Sequence, residues 1–188
     1  PGAFQTTFQG GTDGIYGVQD GFVCKLKPDG TSVVFCSYFG SGGYDYVADL
    51  ALDQNSDIYV IAQSGGGTYP PSWFTSSFQQ TPEGKEDAVI AKIANDGSKV
   101  LWAGYLGGGL DEKGNMSIAV TALKEATVLL STKSSNMPVV ASYDSTLGGS
   151  SDMYVARVAA NGTSLMYGTY LGGSSDEGVT SLFYTETN

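Results

Sequence analysis

Asp20-Gly-Phe-Val-Cys-Lys-Leu26 returns as Asp87-Ala-Val-Ile-Ala-Lys-Ile93 and again as Asp152-Met-Tyr-Val-Ala-Arg-Val158, at spacings of 67 and 65 residues. Self-similarity at a fixed period means that each unit is one supersecondary element that buries its apolar faces against the next copy. Each copy then turns through Lys27-Pro-Asp-Gly-Thr31, Ala94-Asn-Asp-Gly-Ser98 or Ala159-Ala-Asn-Gly-Thr163. Gly30, Gly97 and Gly162 share one place in these turns, where the chain needs a positive φ, and Pro28 suits the first corner of a type I turn closed by a glycine bulge. The pattern predicts return strands over 33–39, 99–106 and 164–171, ending in Ser-Tyr-Phe-Gly40, Gly-Tyr-Leu-Gly107 and Thr-Tyr-Leu-Gly172. A Gly-rich turn follows and leads to a second shared acid, assigned to Asp45, Asp111 and Asp176. A third strand is expected near 46–52, 116–122 and 179–185, and a fourth over 58–63 and 127–132. No stretch combines a 3.6-residue apolar period with capping signals, so no helix is predicted.

Four short antiparallel strands per unit, apolar on both faces because neighbouring sheets cover them, match the composition of a β-propeller blade. The expected fold is all-β: a partial β-propeller of four-stranded antiparallel blades. Its blades are placed at 20–64 and 87–132, an incomplete blade at 152–188, and inter-blade segments at 1–19, 65–86 and 133–151. Fewer than three full blades cannot close a ring of the usual roughly four to eight, so the chain is expected to be a fragment of a larger propeller or a piece completed by association. Between copies, Phe4-Gln-Thr-Thr-Phe8, Phe74-Thr-Ser-Ser-Phe78 and Tyr143-Asp-Ser-Thr-Leu147 are matched as apolar pairs four apart that plug a loop onto the blade faces.

The run Asp-x-Phe-Val-x-Lys-Leu, then Asp-Gly, then Tyr-Leu-Gly-Gly, then Asp, resembles the bacterial SBBP repeat, named for its seven-bladed β-propeller, across nearly the whole chain. The resemblance implies part of a large exported or surface protein of bacteria, and it brings no catalytic residues. The chain departs from the family's Asp-x-x-Gly-Asn turn before strand four, which reads Asp53-Gln-Asn-Ser-Asp57 in one copy and Thr121-Ala-Leu-Lys-Glu125 in the next. That departure puts a metal role for this loop in doubt, and calcium is a weak expectation, since the first loop lacks the sixth-position Gly and the later bidentate Glu of a calcium loop. No other cofactor is expected.

Nineteen acidic against nine basic residues give a formal charge of −10, which repels phosphate backbones and anionic lipid, so nucleic acid is a poor partner. The longest apolar runs, of about five residues, are far below the ~20 needed to span a bilayer, so no membrane insertion is expected. The chain has no histidine, which removes the usual general base and most zinc sites. The remaining acids recur once per copy, so Asp20, Asp87, Asp152, Asp45, Asp111 and Asp176 are read as structural acceptors of backbone N–H groups. Lys25, Lys92 and Arg157, also in register, are read as stems packed along the blade with the head paired to an acid or solvent.

Cys24 aligns with Ala91 and Ala156, and Cys36 with Ala103 and Gly168. If the turn pairs Lys27 with Thr31 the cysteines are diagonal neighbours on one face; if it pairs Pro28 with Ser32 they are directly opposite. Either register permits a disulfide, and free buried thiols are the other possibility. A disulfide agrees with an extracellular or cell-surface location.

The expected function is a non-enzymatic scaffold or interaction module that meets a protein or glycan at the cell surface, other blades of a parent chain, or a neighbouring copy. The loops over 9–19, 63–73, 79–86 and 133–140 are where a partner would be met, with Tyr69 and Trp73 as candidate contacts. One alternative is a carbohydrate-binding or polysaccharide-cleaving propeller, whose dense acids would be Glu83, Glu86 and Asp87. Another is a self-assembling subunit completed by strand exchange. Asn115-Met-Ser117 and Asn161-Gly-Thr163 match glycosylation acceptors, though Asn161 is explained by its turn.

Overall fold

The computed structural model describes residues 2–10, 19–178 and 181–182. Ten strands run in order: β1 (Gly21–Leu26), β2 (Val33–Phe39), β3 (Tyr46–Leu52), β4 (Ile58–Ser64), β5 (Asp87–Ile93), β6 (Val100–Leu106), β7 (Met116–Val120), β8 (Ala126–Thr132), β9 (Asp152–Val158) and β10 (Leu165–Leu171). A single 3-10 turn over Pro71–Trp73 is the only helical element among the described residues. The expected strand near 179–185 lies outside the described residues except for 181 and 182, of which Leu182 donates its N–H to Ser117 Oγ at 3.0 Å.

All pairs are antiparallel, and the strands form three blade-like sheets: β1-β2, β3-β4-β5-β6 and β7-β8-β9-β10. The grouping corrects the boundaries expected from sequence. Each four-stranded sheet takes the last two strands of one copy and the first two of the next, so the sheets span 46–106 and 116–171 rather than 20–64 and 87–132. The long segment 65–86 folds back so that Ile58 to Ser64 pair in order with Ile93 to Asp87. The chain leaves one sheet for the next at the short Gly-rich turns after β2 and β6. Repetition fixes the length of the unit but not its phase, because a meander of hairpins looks the same whichever hairpin is counted first.

The outer hairpins β1-β2, β5-β6 and β9-β10 share one turn. Lys27 N–H donates to Ser32 O and Gly30 N–H to Lys27 O, both at 2.9 Å, and the same two bonds recur at Ala94 and Gly97 and at Ala159 and Gly162. Gly30, Gly97 and Gly162 have φ of 70°, 74° and 73°, which glycine adopts without steric cost. Each hairpin shifts register just inside the turn, at Lys25/Leu26, Lys92/Ile93 and Leu165/Tyr167. Cys24 thereby stands directly opposite Cys36 through neither of the two turn pairings considered, but through a closure at Lys27 and Ser32 corrected by a bulge.

Two apolar layers hold the sheets together. Between β1-β2 and β3–β6 lie Val23, Phe35 and Phe39 against Val60, Val89, Ala91 and Ile93. Between β3–β6 and β7–β10 lie Tyr59, Ile61, Ile90, Trp102 and Leu106 against Val128, Leu130, Tyr154 and Ala156. Strands β4 and β5 are buried along their whole length, as expected for strands covered on both faces. Both layers use one interlocking device. A Cβ on Gly97 would fall 2.3 Å from the Phe35 ring, and one on Gly162 2.4 Å from the Trp102 ring, so each outer turn rests on the aromatic of the sheet before it. At the inner edge, Asp49 Oδ2 accepts from Ser117 Oγ at 2.7 Å and from Ile118 N–H at 3.0 Å. Strands β3 and β7 pack closely, with no comparable packing between the far strands β6 and β10, so the sheets fan out from their inner strands.

Candidate interaction surfaces

The acids that open the outer hairpins serve the backbone. Asp87 Oδ2 accepts from Glu83 N–H at 2.7 Å and Oδ1 from Gly84 N–H at 3.1 Å. Asp152 repeats this with Gly148 at 2.8 Å and Gly149 at 3.1 Å. Asp20 accepts from Gln9 N–H at 2.7 Å.

The second acid lies elsewhere than the sequence assignment in two of three copies. Asp45 is fully buried, and its carboxylate accepts from the N–H and Oγ of Ser41, both at 2.7 Å, and from Tyr69 Oη at 3.1 Å. Its counterparts are Glu112 and Glu177. The N–H groups of Asp45, Glu112 and Glu177 reach Gln19 O, Glu86 O and Ser151 O respectively, and Glu112 and Glu177 accept from Gly108 N–H at 2.9 Å and Gly173 N–H at 3.1 Å. Asp111 is half-exposed and pairs with Lys113 at 3.3 Å, and Asp176 is exposed. The counting signal was present: all three true positions stand five residues after Gly40, Gly107 and Gly172, and matching aspartate by type concealed it. Burial pushes the Glu112 carboxyl up to about 6, and also raises Asp87, to which it hydrogen-bonds, and Asp45.

The basic position has three different surroundings. Lys92 is buried, 2.9 Å from Asp53 and 3.2 Å from Asp57, with its ammonium 4.9 Å from the centre of the Tyr59 ring. Burial opposes that charge, but Tyr59, Asp53 and Asp57 hold the Lys92 pKa above its ordinary value. The loop that carried the weak calcium expectation therefore turns a carboxylate inward to an ammonium, with Asp53 Oδ1 accepting from Asn55 and Asp57 N–H at 2.8 and 3.0 Å. Lys25 instead donates across the sheets to Asn95 O at 2.8 Å, and Arg157 to Thr127 Oγ1 at 3.1 Å with Glu125 3.6 Å away.

Tyr69 is not available to a partner. It is 1% exposed, enclosed by Phe39, Trp73, Phe74 and Tyr105, and burial together with Asp45 drives its hydroxyl pKa well above the ordinary value. Trp73 is half-buried against Phe4 and Phe39. The matched plug is also re-registered. Gln5, Gln79 and Asp144 each offer their carbonyl to the edge strand, at Tyr38, Tyr105 and Tyr170, which makes Phe4, Phe78 and Tyr143 the equivalent residues. Phe74 has a separate task, stacking on Tyr105 at 4.4 Å. The dense acids are engaged separately: Glu83 accepts from Asn136 at 3.3 Å, Glu86 from Gln63 at 2.9 Å, and Asp87 from backbone.

Among the described residues, two open surfaces bear on partner binding. One is a groove of about 560 Å³ between the inner strands, lined by Tyr46, Asp49, Asn115, Met116 and Ser117. Tyr46 Oη donates to the O of Gly114, a further lining residue, at 2.9 Å. Asn161 accepts from its own turn at Thr163, whereas Asn115 lines this groove. The other surface is the outward face of β1-β2, where Phe22, Leu26, Val34 and Tyr38 surround Cys24 and Cys36. The two cysteines have their Cα atoms 4.1 Å apart and are joined as a disulfide. Against known proteins, the chain matches no family model and no curated sequence.

Proposed function

We propose that the chain is a stretch of β-propeller scaffold of the SBBP kind, without chemistry of its own, that works as an interaction module outside a bacterial cell. The observation that carries this reading is that most of the repeated ionisable groups are engaged within the fold. Asp87, Asp152 and Glu112 serve backbone N–H groups, and Lys92 is neutralised by Asp53 and Asp57. A reacting group has to be free to meet a substrate, and a residue that every sheet needs for its own turn is poorly placed for that. The fan of sheets about β3 and β7 supports the propeller, because wedges that converge on their inner strands are what a ring is made of. The Cys24–Cys36 bond supports an oxidising compartment, and the charge of −10 disfavours nucleic acid.

The groove beside Tyr46 and Asn115 is the proposed ligand site, and its mixture of one aromatic face with amide and hydroxyl groups suits a glycan or an extended peptide. The test is a screen of neutral oligosaccharides and peptides by NMR, paired with a reducing-end assay on the same sugars. Shifts confined to Tyr46, Asn115 and Ser117, with no reducing ends released, support the module. Release of reducing ends that disappears in Glu83→Gln or Glu86→Gln overturns it in favour of a cleaving propeller.

A further inference from the structure

The chain crosses from sheet β3–β6 to sheet β7–β10 through a joint built on two carboxyl groups. Asp87 and Glu112 are 1% and 0% exposed and hydrogen-bond to each other. Their oxygens fill the space beside Gly107, since a Cβ there would fall 2.5 Å from Asp87 Oδ1 and 2.7 Å from Glu112 Oε2. The next crossing repeats the arrangement: a Cβ on Gly172 would fall 2.5 Å from Glu177 Oε2 and 2.7 Å from Asp152 Oδ1. Each member of the buried pair holds a different side of the joint. Asp87 opens β5 and accepts from the N–H groups of Glu83 and Gly84, at 2.7 and 3.1 Å. Glu112 sits on the crossing, accepting from Gly108 N–H at 2.9 Å and from Thr132 Oγ1, at the end of β8, at 2.7 Å. One wall of the groove hangs from the same joint. Gly114 and Asn115 follow Glu112 closely in the chain, and Glu86, just before Asp87, anchors this stretch. It does so through Lys113 at 3.5 Å and through Gln63, which donates to Glu86 at 2.9 Å and accepts from Gly114 N–H at 3.4 Å.

A hydrogen bond between two carboxyl groups needs a proton on one of them, because two buried carboxylates in contact repel and do not both ionise. The groups that face the pair are acids and hydroxyls. Toward Asp87 stand the Glu83 carboxylate and the Tyr105 hydroxyl; toward Glu112 stand the hydroxyls of Thr132, Ser134 and Tyr170, the last of which also feels Asp152. Lys113 turns its ammonium to Asp111 and Glu86, at 3.3 and 3.5 Å, and Lys85 and Lys133 on the flanking segments are exposed. We propose that Asp87 and Glu112 share one proton, and that this proton closes the joint and holds the groove wall, so that the groove is fully formed in mild acid and loosens towards neutral pH. Loss of the proton leaves two carboxylates in contact without a cation between them, and parting β5 from the crossing relieves the repulsion. Burial raises both carboxyls, Glu112 from 4.5 to about 6, so closure is complete below about pH 4.5 and is lost as the pH rises through 6. That the groove takes a ligand is the reading given above; the joint is independent of it, and its test uses the chain without ligand.

Carbon-13 NMR of the Asp87 and Glu112 carboxyl carbons, from about pH 3 to about pH 8, reads the proton directly. The pair is expected to titrate as a unit, with both carbons showing two steps and the later one near pH 6. Hydrogen exchange reads the joint at the Glu112 amide, whose N–H reaches Glu86 O and not a titrating carboxyl. Its protection is expected to fall about thirtyfold between about pH 4.5 and about pH 7, the equivalent of a carboxyl moved from 4.5 to about 6. Glu112→Gln, neutral at every pH and still a donor to Asp87, is expected to keep that protection level and to leave Asp87 with a single step. Asp87→Asn is the second variant and is expected to lower the Glu112 step. Two wild-type carbons that titrate independently, each in one step, overturn the proposal. So does wild-type protection that stays level across the range, or a fall in protection that both variants keep unchanged, since the response would then belong to other groups.

Discussion

Hairpin β1-β2 and sheet β3–β6 use the same strand, the same turn and the same bulge, and they differ in what covers them. In β3–β6, Val89, Ala91 and Ile93 are sealed against β1-β2, while Ile90, Trp102 and Leu106 are sealed against the following sheet. In β1-β2, among the described residues, the face carrying Val23, Phe35 and Phe39 is the one covered by another sheet. A two-stranded hairpin is marginal by itself in water, and here the bare copy is the one in which the small residues of the other copies, Ala91 with Ala103 and Ala156 with Gly168, are replaced by a bonded cysteine pair. The comparison teaches that the repeat supplies shape and its neighbours supply burial. Of the three equivalent hairpins, β1-β2 is the one whose strands are also joined by a covalent link.

The largest expected effect lies on the covered side. Lys92→Met leaves Asp53 and Asp57 facing each other without their cation and should cost about 3 kcal/mol in urea unfolding, since breaking a buried ion pair strands the partner charge. Lys25→Met, at the same repeat position in the half-covered hairpin, is expected to cost under about 0.5 kcal/mol, because its single contact is an exposed one to Asn95 O. Equal costs at the two sites would break the comparison.

Next comes the cross-link itself. Cys24→Ser with Cys36→Ser, cysteines 12 residues apart, should lower stability by about 3 kcal/mol through the freedom regained by the unfolded chain. Hydrogen exchange is expected to place the loss in β1 and β2 while the amides of β4 and β5 keep their protection. Uniform loss across all sheets would deny that the hairpin depends on the bond more than its neighbours do.

The third effect is one of pH. Glu112 has its carboxyl raised to about 6 by burial, against an ordinary 4.5, so its protonated form is the one the fold prefers. The stability tied to it is fully present below about pH 4.5 and is lost as the pH rises through 6, by about 2 kcal/mol. Glu112→Gln keeps an acceptor for Gly108 or Thr132 and should flatten that part of the stability profile relative to the wild type, leaving the contributions of Asp45 and Asp87, which are raised in the same direction.

Much of this architecture was legible in the sequence, and the exceptions have physical causes. The ends of β2 and β3, the turn glycines and the lack of long helices among the described residues followed from alternation, from positive-φ demands and from the period. The grouping of strands into sheets did not, because the 65–86 segment looks like a linker by composition and returns instead to pair β5 with β4. Tyr69 looked exposed for the same reason: it stands among Gly and Pro, yet that segment is pulled inward by Phe39, Tyr105 and the buried Asp45 carboxylate. The paired acid of the second and third copies was missed because a glutamate can fill an aspartate's place when the loop has room for one more methylene. The exposed face of β1-β2 could not be read from residues, since Phe22 and Val89 are both apolar at equivalent positions and what lies against them decides that the first is exposed and the second buried.

The central claim is that each full sheet is built across the boundary between copies, with β4 on β5 and the chain changing sheets at the Gly-rich turn between β2 and β3. Cross-strand NOEs between backbone protons are the most direct test. The account predicts NOEs joining Val60 to Ala91 and Ile58 to Ile93, and none along β2 and β3. NOEs that run instead between β2 and β3, with β4 and β5 silent toward each other, would contradict it.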